Sequence, residues 1–246
     1  MSPASSALVV AMRHGPANAL DPVLVARLRA SLDEAEASGR PLVLTGNDRF
    51  FSAGLDLAGL PEDRGEMGAF VDAFDELVRR LFLFPCPTVA AVNGHAVAGG
   101  AILATACDVR IGATGAYRIG VSEVQLGVIF PAVAFEVLRA AIPPERTAEV
   151  LLRGRLTGPE DALANGFLHE LAEPESLAVR AAERAEELGA LPREAYAHTK
   201  RELRGGFADR ALSQAAAKRE RFLDTWFSGE SKARRTAILG RGKKRG

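Results

Sequence analysis

The chain predicts an α/β fold with parallel strand pairing, followed by a helical C-terminal section. Three observations carry this. Short apolar, β-rich runs alternate with amphipathic segments through the first half. Two glycine-rich turns follow strands of that half, at 52–54 and 98–100. Beyond Pro131 helix signals continue almost without strands. With 246 residues, 48% of them apolar and 25% charged, the chain can bury a sizeable core.

The elements follow in order. Leu8 to Met12 reads as a strand. Asp21-Pro22 opens a helix, with the aspartate as N-cap and proline at the first helical position. Leu24, Leu28 and Leu32 then form a core-facing stripe that ends before Gly39. Pro41 to Thr45 is a short buried strand, and Gly65 to Leu83 a helix closed by Pro85 and Pro87. Thr88 to Val92 and Val109 to Ile111 are further strands. In the second half, Pro143-Pro144 opens a helix. Thr157-Gly158-Pro159-Glu160 has the spacing of a capping box, with Gly166 as the stop. Segments 175–188, 192–203 and 207–227 complete the helical set, and Phe222, Trp226 and Phe227 load the end of the last with apolar surface, suited to covering a core or a neighbouring subunit.

Charge excludes some function classes. Lys and Arg balance Asp and Glu at 31 each, so no net field draws the chain to nucleic acid or to a membrane surface. The apolar stretch 7–12 is too short to span a bilayer and has no basic residues before it. Cys86 and Cys107, the only cysteines, fit a reducing cytoplasm better than a disulfide framework. His14, His95, His169 and His198 lack metal-ligand spacing, and no metal is expected. The stretch 231–246 is basic, with Lys243, Lys244 and Arg245 at its end, and reads first as a solvated terminus.

Three segments carry chemistry. In Val92–Ala104, two adjacent glycines at a helix start expose backbone N–H groups where the helix dipole favours negative charge. Such a turn can hold a transient oxyanion, or can simply let a helix pack closely on a strand. Phe50–Leu57 is a second turn of this type, built on Ser52, Ala53 and Gly54. In Gly120–Pro131, Glu123 is the sole ionisable residue among apolar neighbours. A carboxylate held there loses hydration, rises in pKa and becomes a usable base for a carbon acid; on a surface loop it would be an ordinary glutamate.

These segments, in this order, resemble the enoyl-CoA hydratase/isomerase family, the crotonases. The resemblance runs from about Leu8 to about Ala172 and includes Asn18-Ala19-Leu20, Cys107 to Arg110 and Pro159 to Gly166. It implies a spiral of ββα repeats over residues 1–190 and a helical trimerisation region over 191–246. It implies that the N–H groups of Leu55 and Gly99 bind the thioester carbonyl of an acyl-CoA. Ala53, Gly54, Asp56 and Leu57 would line the CoA path, and Gly100, Ile102 and Phe130 would complete the substrate site. The substrate would be an acyl-CoA, with no cofactor, no nucleic acid and no membrane, and the assembly a homotrimer or a dimer of trimers. The basic end could then reach CoA phosphates.

The departures from the family pattern narrow the chemistry. Family hydratases carry two glutamates; the first falls at Ile102 here and the second at Glu123. Dienoyl-CoA isomerases use acids at positions 102 and 131, which here are Ile102 and Pro131. The single-glutamate pattern is similar to mitochondrial-type 3-enoyl-CoA to 2-enoyl-CoA isomerases. Ile129 and Phe135 are further candidates for a dry pocket wall. The alternatives are another crotonase activity, such as hydration, decarboxylation or thioester hydrolysis, and a non-catalytic acyl-CoA binder.

Overall fold

A computed structural model describes residues 7–47 and 49–242, without the side chains of 241 and 242. Lys243, Lys244 and Arg245 lie outside the described residues. The first half builds β1 (Leu8–Ala11), α1 (Pro22–Ser38), β2 (Leu42–Thr45), β3 (Phe50–Ser52), α2 (Arg64–Phe82), β4 (Thr88–Val92), β5 (His95–Val97), α3 (Gly99–Ala106), β6 (Val109–Ala113) and β7 (Ile119–Gly120). The second half adds α4 (Glu123–Leu126), α5 (Ala132–Ala141), α6 (Pro144–Arg153), α7 (Pro159–Ala164), β8 (Glu170–Ala172), α8 (Leu177–Gly189), α9 (Arg193–Trp226) and α10 (Gly229–Gly242).

The strands divide between two parallel sheets, one in the order β1-β2-β4-β6-β8 and one in the order β3-β5-β7. Each pair β2/β3, β4/β5 and β6/β7 gives its first strand to the large sheet and its second to the small one. A helix then carries the chain back to start the next pair. This is the ββα spiral expected from the family resemblance. β4 is buried at every position, as a central parallel strand must be, so it reads as a continuous apolar run rather than an alternating one.

Local chemistry sets the helix boundaries. Asp21 accepts from Leu24 N–H at 2.7 Å, Pro22 follows it, and Leu24, Leu28 and Leu32 are buried. The capping box at Thr157 is not formed. Gly158 occupies the N-cap of α7 without a side-chain bond, and the Thr157 hydroxyl instead donates to the Ile119 carbonyl, because Thr157 pairs its backbone with Ile119. The segments 192–203 and 207–227 form one helix, α9, straight through Gly205-Gly206. Tertiary packing overrides the weak propensity of two glycines there.

Two half-buried aspartates anchor the helical layer. Asp108 at the start of β6 pairs with Lys200 at 2.6 Å and Arg204 at 2.9 Å, and accepts from Tyr196 at 2.8 Å, so α9 is tied to the large sheet. The N-terminus of α5 has no side-chain cap of its own; Asp75 on α2 faces it, where the N–H groups of Val133, Ala132 and Ala134 favour its charged form. Burial pushes the Asp75 carboxyl up to about 7 against the stabilising effect of those donors. Among the described residues, no helix is long and apolar enough to cross a membrane.

Candidate active site

The two glycine turns meet. Gly54 follows β3 with φ 83, a left-handed conformation that favours glycine. A Cβ there would lie 2.6 Å from the Val97 carbonyl and 3.3 Å from the Gly99 nitrogen, so only glycine lets the turn after β3 touch the turn before α3. Sequence spacing leaves this convergence open, and the parallel pairing of β3 with β5 supplies it.

Both turns leave an amide aimed away from the scaffold. Leu20 bridges Leu55 in parallel, donating to the Gly54 carbonyl at 2.7 Å and accepting from Asp56 N–H at 3.0 Å. The bridge uses the groups on either side of Leu55 and turns the Leu55 N–H outward. Gly99 is the first residue of α3, and its N–H has no intrahelical acceptor. Neither amide has a hydrogen-bond acceptor among the described residues. Ala98, the N-cap before Gly99, is held at φ 49, a region costly for a residue with a Cβ. Asn18 holds the first turn from beneath. It is fully buried, its side-chain amide donates to the Phe50 and Phe51 carbonyls, and its own carbonyl accepts from the Ser52 hydroxyl at 2.7 Å.

A cavity of about 190 Å³ opens in front of these amides. Ala53, Leu55, Leu57, Gly99, Ile102 and Glu123, all expected at the site, line it together. Its wall is apolar except for Ser122, Glu123 and the indole of Trp226, and Glu123 is its sole ionisable group among the described residues. Glu123 opens α4 and is only 6% exposed. Burial pushes its carboxyl up to about 7, although the N–H groups of Glu123 and Ser122 favour the charged form. Its Oε2 is buried without a partner. An unpartnered carboxylate oxygen in an apolar cavity is poised for a proton that a ligand brings.

Six expected residues fall elsewhere. Gly54 forms the contact behind the turn, and Gly100 packs against the Ser52 carbonyl and leaves no room there for a side chain. Asp56 turns back onto the Ala58 N–H at 3.1 Å. Phe130 packs against Phe135 with ring centroids 6.1 Å apart and the rings tilted by 46°; neither ring, nor Ile129, is part of the cavity wall. The wall includes residues that the motifs do not reveal. Phe70, Val71 and Phe74 come from α2, where an apolar stripe reads only as core. Phe222 and Trp226 come from the end of α9 and Ile238 from α10. Phe222 and Trp226 are thus buried inside their own chain, at 1% and 3% exposure, and do not supply the uncovered apolar surface expected of them.

A profile of the enoyl-CoA hydratase/isomerase family matches residues 3–243. The chain belongs to that family. As a crotonase it joins proteins that act on acyl-CoA thioesters. It is 39% identical over 178 residues to a putative enoyl-CoA hydratase of Thermus thermophilus, covering 70% of this chain and 69% of that protein. It is 32% identical over 221 residues to human enoyl-CoA delta isomerase 1, mitochondrial, covering 87% and 73%. The crystal structure of human mitochondrial delta3-delta2-enoyl-CoA isomerase superposes with a TM-score of 0.90 at 29% identity, over 97% of this chain and 95% of that one. Names of both reactions therefore occur among the relatives of this crotonase.

Proposed function

We propose that this crotonase is an enoyl-CoA isomerase that moves the double bond of a 3-enoyl-CoA to the 2 position. The observation that carries the reading is that Glu123 alone can ionise on the cavity wall, with Ile102 where family hydratases place their other glutamate. The thioester carbonyl accepts from the N–H groups of Leu55 and Gly99. Glu123 removes a proton from C2, and the electron pair moves through the thioester to give a dienolate. The two amides stabilise its oxygen as charge grows there. The same carboxyl returns its proton at C4, and the double bond then lies between C2 and C3. Protons and electrons balance with no co-reactant. An apolar wall keeps water from the dienolate and from C3.

Hydration needs a positioned water, and Ile102, 1% exposed, can neither hold nor polarise one. The hydratase names among the relatives make hydration the reading to exclude. The chain is to be incubated with a 3-enoyl-CoA and, separately, a 2-enoyl-CoA, and the products analysed. Isomerisation of the first at a rate well above hydration of the second supports the proposal. Hydration at a comparable rate overturns it, and binding without proton exchange at C2 favours a silent acyl-CoA binder. The working assembly in this reading is a homotrimer or a dimer of trimers in the cytoplasm.

A further inference from the structure

Helix α4 is a single turn, too short to be stable alone, yet it carries the proposed base. Most of its backbone is closed locally. Gly127, at φ 71, donates to the Val124 carbonyl at 3.2 Å, and Val128 donates to the Glu123 carbonyl at 3.0 Å. Leu126 N–H reaches the Ser122 carbonyl at 3.1 Å. The closing turn leaves the Gln125 carbonyl without an acceptor role inside the helix. Arg234 on α10 fills it, with Nη1 donating at 3.1 Å. Glu230, one turn earlier on α10, fixes that guanidinium by accepting from Nε at 3.0 Å and Nη2 at 2.8 Å. Glutamate four residues before arginine is the favourable order on a helix. One turn further along the same face, Ile238 lines the cavity.

We propose that Arg234 is a positioning residue for Glu123: by binding the Gln125 carbonyl it clamps the one-turn helix that carries the base, from the same face of α10 that closes the cavity. The proposal rests on the isomerase reading for the role of Glu123. A carboxyl that must meet C2 and then C4 has to be held to within a fraction of an ångström; the Gln125 side chain ties the turn to α6 by donating to the Arg153 carbonyl at 3.0 Å, and Arg234 adds the hold on its backbone. The Glu230–Arg234 pair is half exposed and by itself contributes little stability, so the Gln125 bond is where Arg234 has its effect.

The test uses the full chain with Arg234→Ala and Arg234→Lys. Saturating turnover and KM are measured with a 3-enoyl-CoA, and amide hydrogen exchange is followed over residues 122–130. Arg234→Ala is expected to lower kcat about tenfold with little change in KM, and to speed exchange at Gly127 and Val128. Arg234→Lys keeps a donor and restores most of both. Unchanged kcat overturns the clamp, as does a loss confined to KM. Faster exchange spread equally over 229–240 also overturns it, because α10 has then come away as a whole. If the native chain does not isomerise a 3-enoyl-CoA, the isomerase reading fails on its own. The exchange arm then decides whether Arg234 holds α4: faster exchange at Gly127 and Val128 upholds the clamp, and unchanged exchange overturns it.

Discussion

Glu123 and Ile102 line the same cavity, and only Glu123 can ionise. One wall position offers a carboxyl with a pKa raised to about 7, and the other offers four carbons. The division is suited to moving one proton within a substrate and unsuited to adding a water.

Glu123→Gln keeps the shape of the side chain and removes its basicity. Isomerase turnover is expected to fall by about 10²-fold or more while acyl-CoA affinity, measured by titration calorimetry, stays near native. In the native enzyme kcat/KM is expected to rise with pH through about 7 and then level off, because in the proposed reaction the same carboxyl serves as base and then as acid. A bell-shaped profile would require a second titrating group.

The same substitution has a stability signature. The Glu123 carboxyl is held above its unfolded value of 4.5, so between about 4.5 and 7 the folded state keeps a proton that the unfolded state has released. Stability is therefore lost as pH rises through that window. Glutamine removes the penalty, so the Tm of Glu123→Gln is expected to exceed the native Tm by several degrees at pH 8. Below pH 4.5 the difference disappears. Calorimetric scans at the two pH values check the sign.

Ile102→Glu does not create a hydratase, because water placement needs both carboxylates and the groups that orient them. It buries a charge in α3, a helix with every residue buried, and is expected to cost several degrees of Tm. Product analysis with a 2-enoyl-CoA and a thermal melt read the two effects separately.

Sedimentation at micromolar concentration is expected to give the mass of three or six chains. Phe222 and Trp226 no longer argue for this, since they are spent on the cavity. Exposed Leu203 and Leu212 on α9 leave apolar surface for a neighbour. A monomer at that concentration removes the assembly.

The sequence discloses the alternating strands and helices because their cues are local, while the spiral they build is implied by the family resemblance. Asp21-Pro22, the leucine stripe of α1 and the glycine turns each act within a few residues. The small sheet is less legible: β5 has three residues and β7 two, too short to show a period. The two glycine turns and Glu123 are readable as motifs, but the meeting of the turns depends on strand pairing between residues more than forty positions apart. The far wall is not readable at all. Phe74, Phe222 and Ile238 are ordinary apolar residues of helical faces, and only the packing of α2, α9 and α10 decides that they face an empty space.

Phe222, Trp226 and Ile238 give the cavity a wall drawn from α9 and α10, which follow the rest of the site in sequence. The sheets, both glycine turns and Glu123 all come earlier in the chain. A chain cut before α9 is accordingly expected to keep Glu123 and both glycine turns but to leave them facing solvent.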